Sequence, residues 1–440
     1  MPASDQKTQS DRPHDLRENV FLKVGRIIYL IALAAWSSTL YFLILRKTFS
    51  HEAFLHAVKS LVFIDFSKFY VAGLIAWSPD RSKLYDFPTQ MLWVQNTIGT
   101  LDHPPDSIPY TPMFCVLMRL FTWLPIEKAL LLAFISIFSV AFIAITTILM
   151  QKGHLKKSEC IVFWILALTP VGATEIFQLG QSTFFWLGTM AIFYLCFLKK
   201  SDVFSGIALA FLALKPQYAL LATAAPFGCQ RWKVLVAAAL TEVILIITAT
   251  CVIGVDTMIY YPKFLNYAGG HVTSFIPNHN PSLGMITLRG LLAPFLPEEF
   301  NFHISSVINF LTWIPLFLVW RRCAKVGTEA FSWAIVLTVA CTIFFSAHSM
   351  LYDFILVSIG WAVTLKSGEL SGQIAPDDKL KYIWVAMFWL LPGFTWLISG
   401  LHASYETSAR THAIILLCII CFASASLAKL FNPAAVKAVD

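Results

Sequence analysis

Charge is what this sequence has least of. Asp, Glu, Lys and Arg make up 13% of its 440 residues, about half the usual share of a soluble domain. With so few charged groups, a water-soluble fold could not cover the 58% of residues that are hydrophobic, and mean hydropathy is +0.70. A Gly-rich phosphate loop is missing, as are internal repeats and low-complexity tracts. A soluble nucleotide-binding domain is thereby excluded, and chemistry drawing on cytosolic ATP or a nucleotide sugar is disfavoured. No HExxH and no His/Cys cluster marks a transition-metal site, so no metal or other cofactor is expected. Of nine cysteines, Cys418 and Cys421 form the one CxxC pair, inside an apolar run without a second pair, and all nine read as small core residues. The N-terminus is polar and mixed in charge (Asp5, Lys7, Asp11, Arg12, Asp15, Arg17, Glu18), unlike a signal peptide, and residues 1–23 are expected to be a cytosolic tail.

What is present is a succession of apolar runs. In hydrocarbon every backbone amide must be paired within the protein, and runs of about 20 residues select helices over barrel strands. The expected fold is an all-α polytopic membrane protein. Apolar segments starting near Val24, Tyr110, Ala129, Cys160, Thr183, Phe204, Val234, Ile304, Phe331, Leu351, Tyr382 and Thr411 predict about 11 to 13 hydrophobic helices in one transmembrane domain over 24–430. Two long segments, 46–109 and 256–302, are too polar to cross, and 431–440 reads as a second cytosolic tail. Lys429, Lys437, Lys366 to Lys381, and Arg321, Arg322 and Lys325 fall on one side, which the positive-inside rule makes cytoplasmic. Arg231, Lys233, Lys199, Lys200, Lys152, Lys156 and Lys157 alternate wrongly if every segment crosses. Something must turn back. Phe204 to Phe227 is interrupted by Lys215-Pro216, so it is expected to be two half-helices that dip in and out. The short, proline-bounded Tyr110 to Leu124 is a second such candidate. With both corrections the two long loops share the outer face. The net charge of +7 is explained by segment ends meeting anionic lipid head groups, and nucleic acid is not implied.

Polar groups inside such a chain need reasons. Asp65 stands among aromatics in Ile64-Asp65-Phe66-Ser67-Lys68-Phe69-Tyr70, a setting that suits a general base, although an i,i+3 ion pair with Lys68 would account for it too. Glu175 and Gln181 lie near one end of a span, as site groups or as a solvated helix end. Lys215, deep in an apolar stretch, calls for a cavity or a partner. Arg289 could clamp a phosphate bidentately or meet head groups. Ser346-Ala347-His348 and Tyr352-Asp353 place an imidazole, a phenol and a carboxylate at the start of an apolar helix, which invites a site.

In order, these pieces resemble glycosyltransferase family 87 of the GT-C superfamily, over most of the chain. The resemblance rests on Asp65-Phe66 with Tyr70-Val71-Ala72-Gly73 and Leu84-Tyr85-Asp86, on Tyr110-Thr111-Pro112, Leu179-Gly180-Gln181-Ser182, Ser205-Gly206-Ile207 through Leu214-Lys215-Pro216, Ser282-Leu283 with Arg289, and His348 with Tyr352-Asp353. It implies a GT-C type bundle with a helical first outer loop. It also implies an outward-facing site taking a polyprenyl-phosphate sugar, mannose-like or pentose, to a lipid or polysaccharide acceptor. Asp65 matches the base; Lys215, Arg289 and a protonated His348 would hold the donor phosphate. Asp86, Tyr110, Gln181, Asn280, Ser282, Tyr352 and Asp353 would bind sugar or acceptor. The departures from the family pattern, Thr111 where proline is commoner and Ser182 where asparagine is, bear on acceptor choice. The rival reading is a transporter or lipid flippase, whose hallmark would be matched halves with paired broken helices; the break at Lys215-Pro216 has no clear counterpart in the second half.

Overall fold

The computed structural model describes residues 31, 35, 38–39, 41–60, 62–100, 107–150, 157–168, 171–270, 281–367 and 405–431. The expected tail over 1–23, most of the first span, the Tyr382 segment, Asn280 and residues 432–440 lie outside these. Among the described residues every regular element is helical. Helices α1 (His51–Lys59), α2 (Ile64–Ala76) and α3 (Phe87–Ile98) fold the first long segment. Next come α4 (Pro112–Leu117), α5 (Arg119–Thr122), α6 (Ile126–Met150), α7 (Lys157–Leu168), α8 (Val171–Leu179) and α9 (Thr183–Leu198). Then follow α10 (Asp202–Ala213), α11 (Pro216–Ala222), α12 (Ala224–Gly228), α13 (Trp232–Ile253), α14 (Val255–Gly270) and α15 (Leu288–Leu292). The last four are α16 (Glu298–Val326), α17 (Thr328–Phe344), α18 (Val357–Ser367) and α19 (Tyr405–Leu430).

Four of these, α6, α13, α16 and α19, are long and apolar enough to cross a membrane, and α7 with α8 forms a fifth candidate bent by 59°. Five shorter apolar helical stretches accompany them, one before the first span and four between the others. The chain is an all-α, multi-pass membrane protein. The second long segment is more ordered than a loop: α14 occupies its first third, and α16 begins within it at Glu298.

The segment interrupted at Lys215 turns back on itself. Its two ends meet, because Arg231, just past α12, pairs with Asp202 at the start of α10 and donates to the Phe197 carbonyl. α10 then runs beside α13, so closely that a Cβ on Gly206 would stand 2.4 Å from the Val234 carbonyl oxygen. A helix of 12 residues rises about 18 Å, well short of the roughly 30 Å hydrocarbon. By length, α10 alone is too short to cross. The tip of the hairpin meets the second short segment, where Thr111 caps α4 and donates from Oγ1 to the Leu214 carbonyl (3.0 Å).

Basic residues gather at the hairpin's open end. Gly228 packs on Trp320 and Arg321, and Arg322 donates to the Phe431 carbonyl at the end of α19 (2.8 Å). Away from that end the two long segments touch each other: Thr257 Oγ1 donates to the Ser82 carbonyl (3.3 Å), and the Tyr85 ring packs at a tilt against Tyr261 and Phe264, with centroids 5.2 and 4.8 Å away.

Candidate functional site

The site is assembled from two unusual backbone turns, a helix break and a loop. Helix α2 begins after Phe63, whose φ of 62° lies in the left-handed region that bulky residues avoid. Phe63 donates its N–H to the Gln178 carbonyl (2.7 Å). Helix α8 ends on a left-handed glycine, Gly180 (φ +72°), with Gln181 N–H reaching back to the Ile176 carbonyl (2.9 Å), a C-cap glycine fits best. Any Cβ on Gly180 would stand 2.7 Å from Phe66 Cβ. These two turns seat the end of α8 on the first turn of α2. Gln181 Nε2 consequently donates to Asp65 Oδ2, while Lys68 Nζ lies 2.7 Å from Asp65 Oδ1.

Facing this pair is the tip of the hairpin. Pro216 starts α11 and forces Lys215 out of helical conformation, which leaves its side chain free to leave the ladder's axis. Lys215 Nζ lies 2.6 Å from Tyr218 Oη, 3.3 Å from Asp353 Oδ1, and over the Tyr218 ring at 4.2 Å. Asp353 is fully buried in the 3-10 turn Leu351–Leu356, where it also accepts from Met350 N–H (3.1 Å) and Thr183 Oγ1 (3.4 Å). Asp65 acts on Lys215 as well, though less than Asp353 does. Tyr110 and Tyr352 each lie within electrostatic range of both carboxylates.

His348 sits in the loop between α17 and that turn, outside the apolar helices, and its backbone is tied from three directions. Ser346 Oγ accepts from His348 N–H (3.1 Å), Gln217 Nε2 donates to its carbonyl (3.3 Å), and the flanking carbonyls of Ala347 and Ser349 accept from Arg289 Nη1 and Ile286 N–H (both 3.0 Å). Burial first, and then the charges of Lys215, Arg289 and Lys68, push its imidazole down to about 3. Both influences disfavour an imidazolium at this position.

The structure thus brings Asp65, Gln181, Tyr110, Lys215, His348, Tyr352 and Asp353 together. Arg289 and Ser282 stand beside them rather than open to them. Arg289 is 1% exposed, and both it and Ser282 Oγ bond Glu298. Asp86 lies elsewhere: its carboxylate caps α3, accepting from Thr89 N–H (3.0 Å) and Oγ1 (2.6 Å). Residues that sequence reasoning passed over as site groups are Tyr218, Thr183 and Glu298. Tyr218, three residues after Lys215 on a helix proline starts, was the most readable of them.

A helical frame of spans around one buried polar cluster is the architecture of a multi-pass membrane protein with an internal site. The family model described as glycosyltransferase family 87 matches residues 109–347, just over half of the chain. The chain belongs to that family and is a glycosyltransferase. The matched stretch holds Tyr110, Gln181, Lys215, Ser282 and Arg289; Asp65 precedes it, and His348, Tyr352 and Asp353 follow it, joined to it by the contacts above. No curated protein matches the chain.

Proposed function

We propose that this glycosyltransferase moves a hexose, mannose-like, or a pentose from a polyprenyl-phosphate donor to an envelope lipid or polysaccharide, with inversion, on the extracytoplasmic face of the plasma membrane. The observation that supports this reading best is the setting of Asp65. A carboxylate held by Lys68 and Gln181 faces the Lys215–Asp353 pair across a cluster of phenols, at the end of the hairpin opposite the basic residues. The positive-inside rule puts those basic residues in the cytoplasm, and so the cluster toward the outer leaflet.

In this mechanism an acceptor hydroxyl gives its proton to the Asp65 carboxylate as its oxygen bonds to the anomeric carbon. The carbon–oxygen bond to phosphate breaks from the opposite face, and the polyprenyl phosphate leaves with the electron pair. Lys215 and Lys68 supply the positive charge that meets the developing phosphate charge, a contribution of a few kcal/mol per group when preorganised. His348 offers one hydrogen bond to the donor phosphate; Gln181, Tyr110, Tyr352 and Asp353 orient sugar hydroxyls. The test is Asp65→Asn in purified, folded enzyme, with undecaprenyl-phosphate mannose and related hexoses and pentoses as donors and envelope lipid extract as acceptor. Turnover should fall by about 10²- to 10⁴-fold. Wild-type turnover in the variant would remove Asp65 as the base.

A further inference from the structure

The mechanism leaves unused the charged pair beside the site, Arg289 and Glu298, and Glu298 is the first residue of a 29-residue helix. A carboxylate there is favoured by the helix dipole. It binds two buried side chains, Arg289 Nη2 and Ser282 Oγ. Arg289 spends its planar fork on two acceptors at once, Glu298 and the Ala347 carbonyl (3.0 Å), and that rigid geometry couples the position of one to the other. The guanidinium also lies over the Phe302 ring at 4.9 Å. One turn along the same helix, Asn301 Nδ2 holds the Arg289 carbonyl (2.8 Å). The turn before it is equally tight: a Cβ on Gly290 would stand 2.0 Å from the Met285 carbonyl oxygen. From this block two bonds reach the His348 loop, on either side of His348 itself: Arg289 to Ala347 and Ile286 to Ser349.

We propose that Glu298 is a positioning residue: by orienting Arg289 it fixes the Ala347 carbonyl, and with it the place of His348 beside Lys215 and Asp353. The proposal rests on the sugar-transfer reading for what His348 does, but not for how it is held. It also separates two roles for Arg289. A guanidinium that clamps the donor phosphate would show in donor affinity; one that holds the His348 loop shows in turnover.

The experiment has two arms, both on the full-length purified protein in detergent. In the first, diethyl pyrocarbonate modifies histidines, and peptide mass spectrometry follows His348 relative to exposed His51. Glu298→Gln should speed His348 modification by about fivefold or more, because an amide no longer compensates the buried guanidinium. In the second, with undecaprenyl-phosphate mannose, E298Q should lower kcat by about tenfold while donor KM stays within about twofold, the pattern of an interaction made in the transition state only. Glu298→Asp should restore part of both. Should E298Q fail to fold, Ser282→Ala, which removes one of the two partners of Glu298, should give the same changes at smaller size. Unchanged His348 modification in a folded variant overturns the proposal, as does a raised donor KM with kcat kept. If the wild-type chain transfers no sugar from any polyprenyl-phosphate donor, the reading of function fails, and the modification arm alone still decides the role of Glu298.

Discussion

Asp353→Ala is the most severe test of how the buried cluster is held. Asp353 is fully buried and lies 3.3 Å from Lys215 Nζ, whose side chain is 13% exposed. Removing one partner of a buried ion pair costs about 3 to 5 kcal/mol, because the other charge is left uncompensated. Here two features pull in opposite directions. Tyr218 Oη remains at 2.6 Å and Asp65 continues to act on Lys215, which lowers the cost. Met350 N–H loses its acceptor, as does the Thr183 hydroxyl over a longer 3.4 Å contact, and an unsatisfied buried donor adds about 1 kcal/mol or more. The expected loss is about 3 to 4 kcal/mol. The second step is decisive. Lys215→Met with Asp353→Ala removes both charges, and the double variant should recover at least about 2 kcal/mol relative to the sum of the single ones. Unfolding free energies of the four proteins, measured in mixed micelles with increasing SDS, give the coupling directly. A coupling below about 0.5 kcal/mol, the scatter of independent sites, would refute the pair as a structural unit.

Other outcomes follow from single contacts. Gly180→Ala must hold a left-handed conformation that costs an L-residue about 1 to 2 kcal/mol and bring a methyl to 2.7 Å from Phe66 Cβ; turnover per folded molecule should drop, because Gln181 is carried off Asp65, and unchanged turnover would show that this bond is dispensable. Asp86→Ala should cost about 1 kcal/mol of stability as a lost helix cap. The Thr89 hydroxyl and N–H hold the Asp86 carboxyl below the ordinary carboxylate range, so its stabilisation is complete above the unfolded value near 3.9 and disappears as pH falls through the lower folded value. A melting temperature whose acid dependence is the same in wild type and D86A would contradict this. For the hairpin, cysteines placed at Ser201 and Gln230 in a background without native cysteines should react with an impermeant maleimide from the same side of the membrane, and one at Ser82 from the other; opposite sides for 201 and 230 would sink the hairpin.

The break at Lys215 was legible because two rare events coincide there: proline, which ends a helix, and a charge that hydrocarbon rejects. The mismatch of Arg231 with the positive-inside alternation carried the same message, and the Arg231–Asp202 pair is its physical form. Asp65 stood out for the opposite reason, a single acid among aromatics. What could not be read was partnership beyond one helical turn. The Lys68–Asp65 pair is local and was readable at i,i+3 spacing, but whether Gln181 reaches Asp65 depends on how elements 116 positions apart are seated, and the choice of Arg289 between lipid phosphate and Glu298, nine positions on, depends on the turn between them. The left-handed Phe63 carries no sequence signal, since phenylalanine rarely takes that conformation and is held there by its bond to Gln178. Glu298 was hidden by the commonest of disguises, an acid in the first turn of a helix.

The hairpin closed by Asp202 and Arg231 has a consequence for how the nascent chain is made. A span can leave the translocon once its own apolar length has emerged. This element cannot, because α10 by itself is too short to span and would leave Lys215 in lipid without Asp353, which is synthesised about 140 residues later. Its release from the insertion machinery is therefore tied to the arrival of Arg231 at one end, and its completion to the arrival of the second half of the protein at the other.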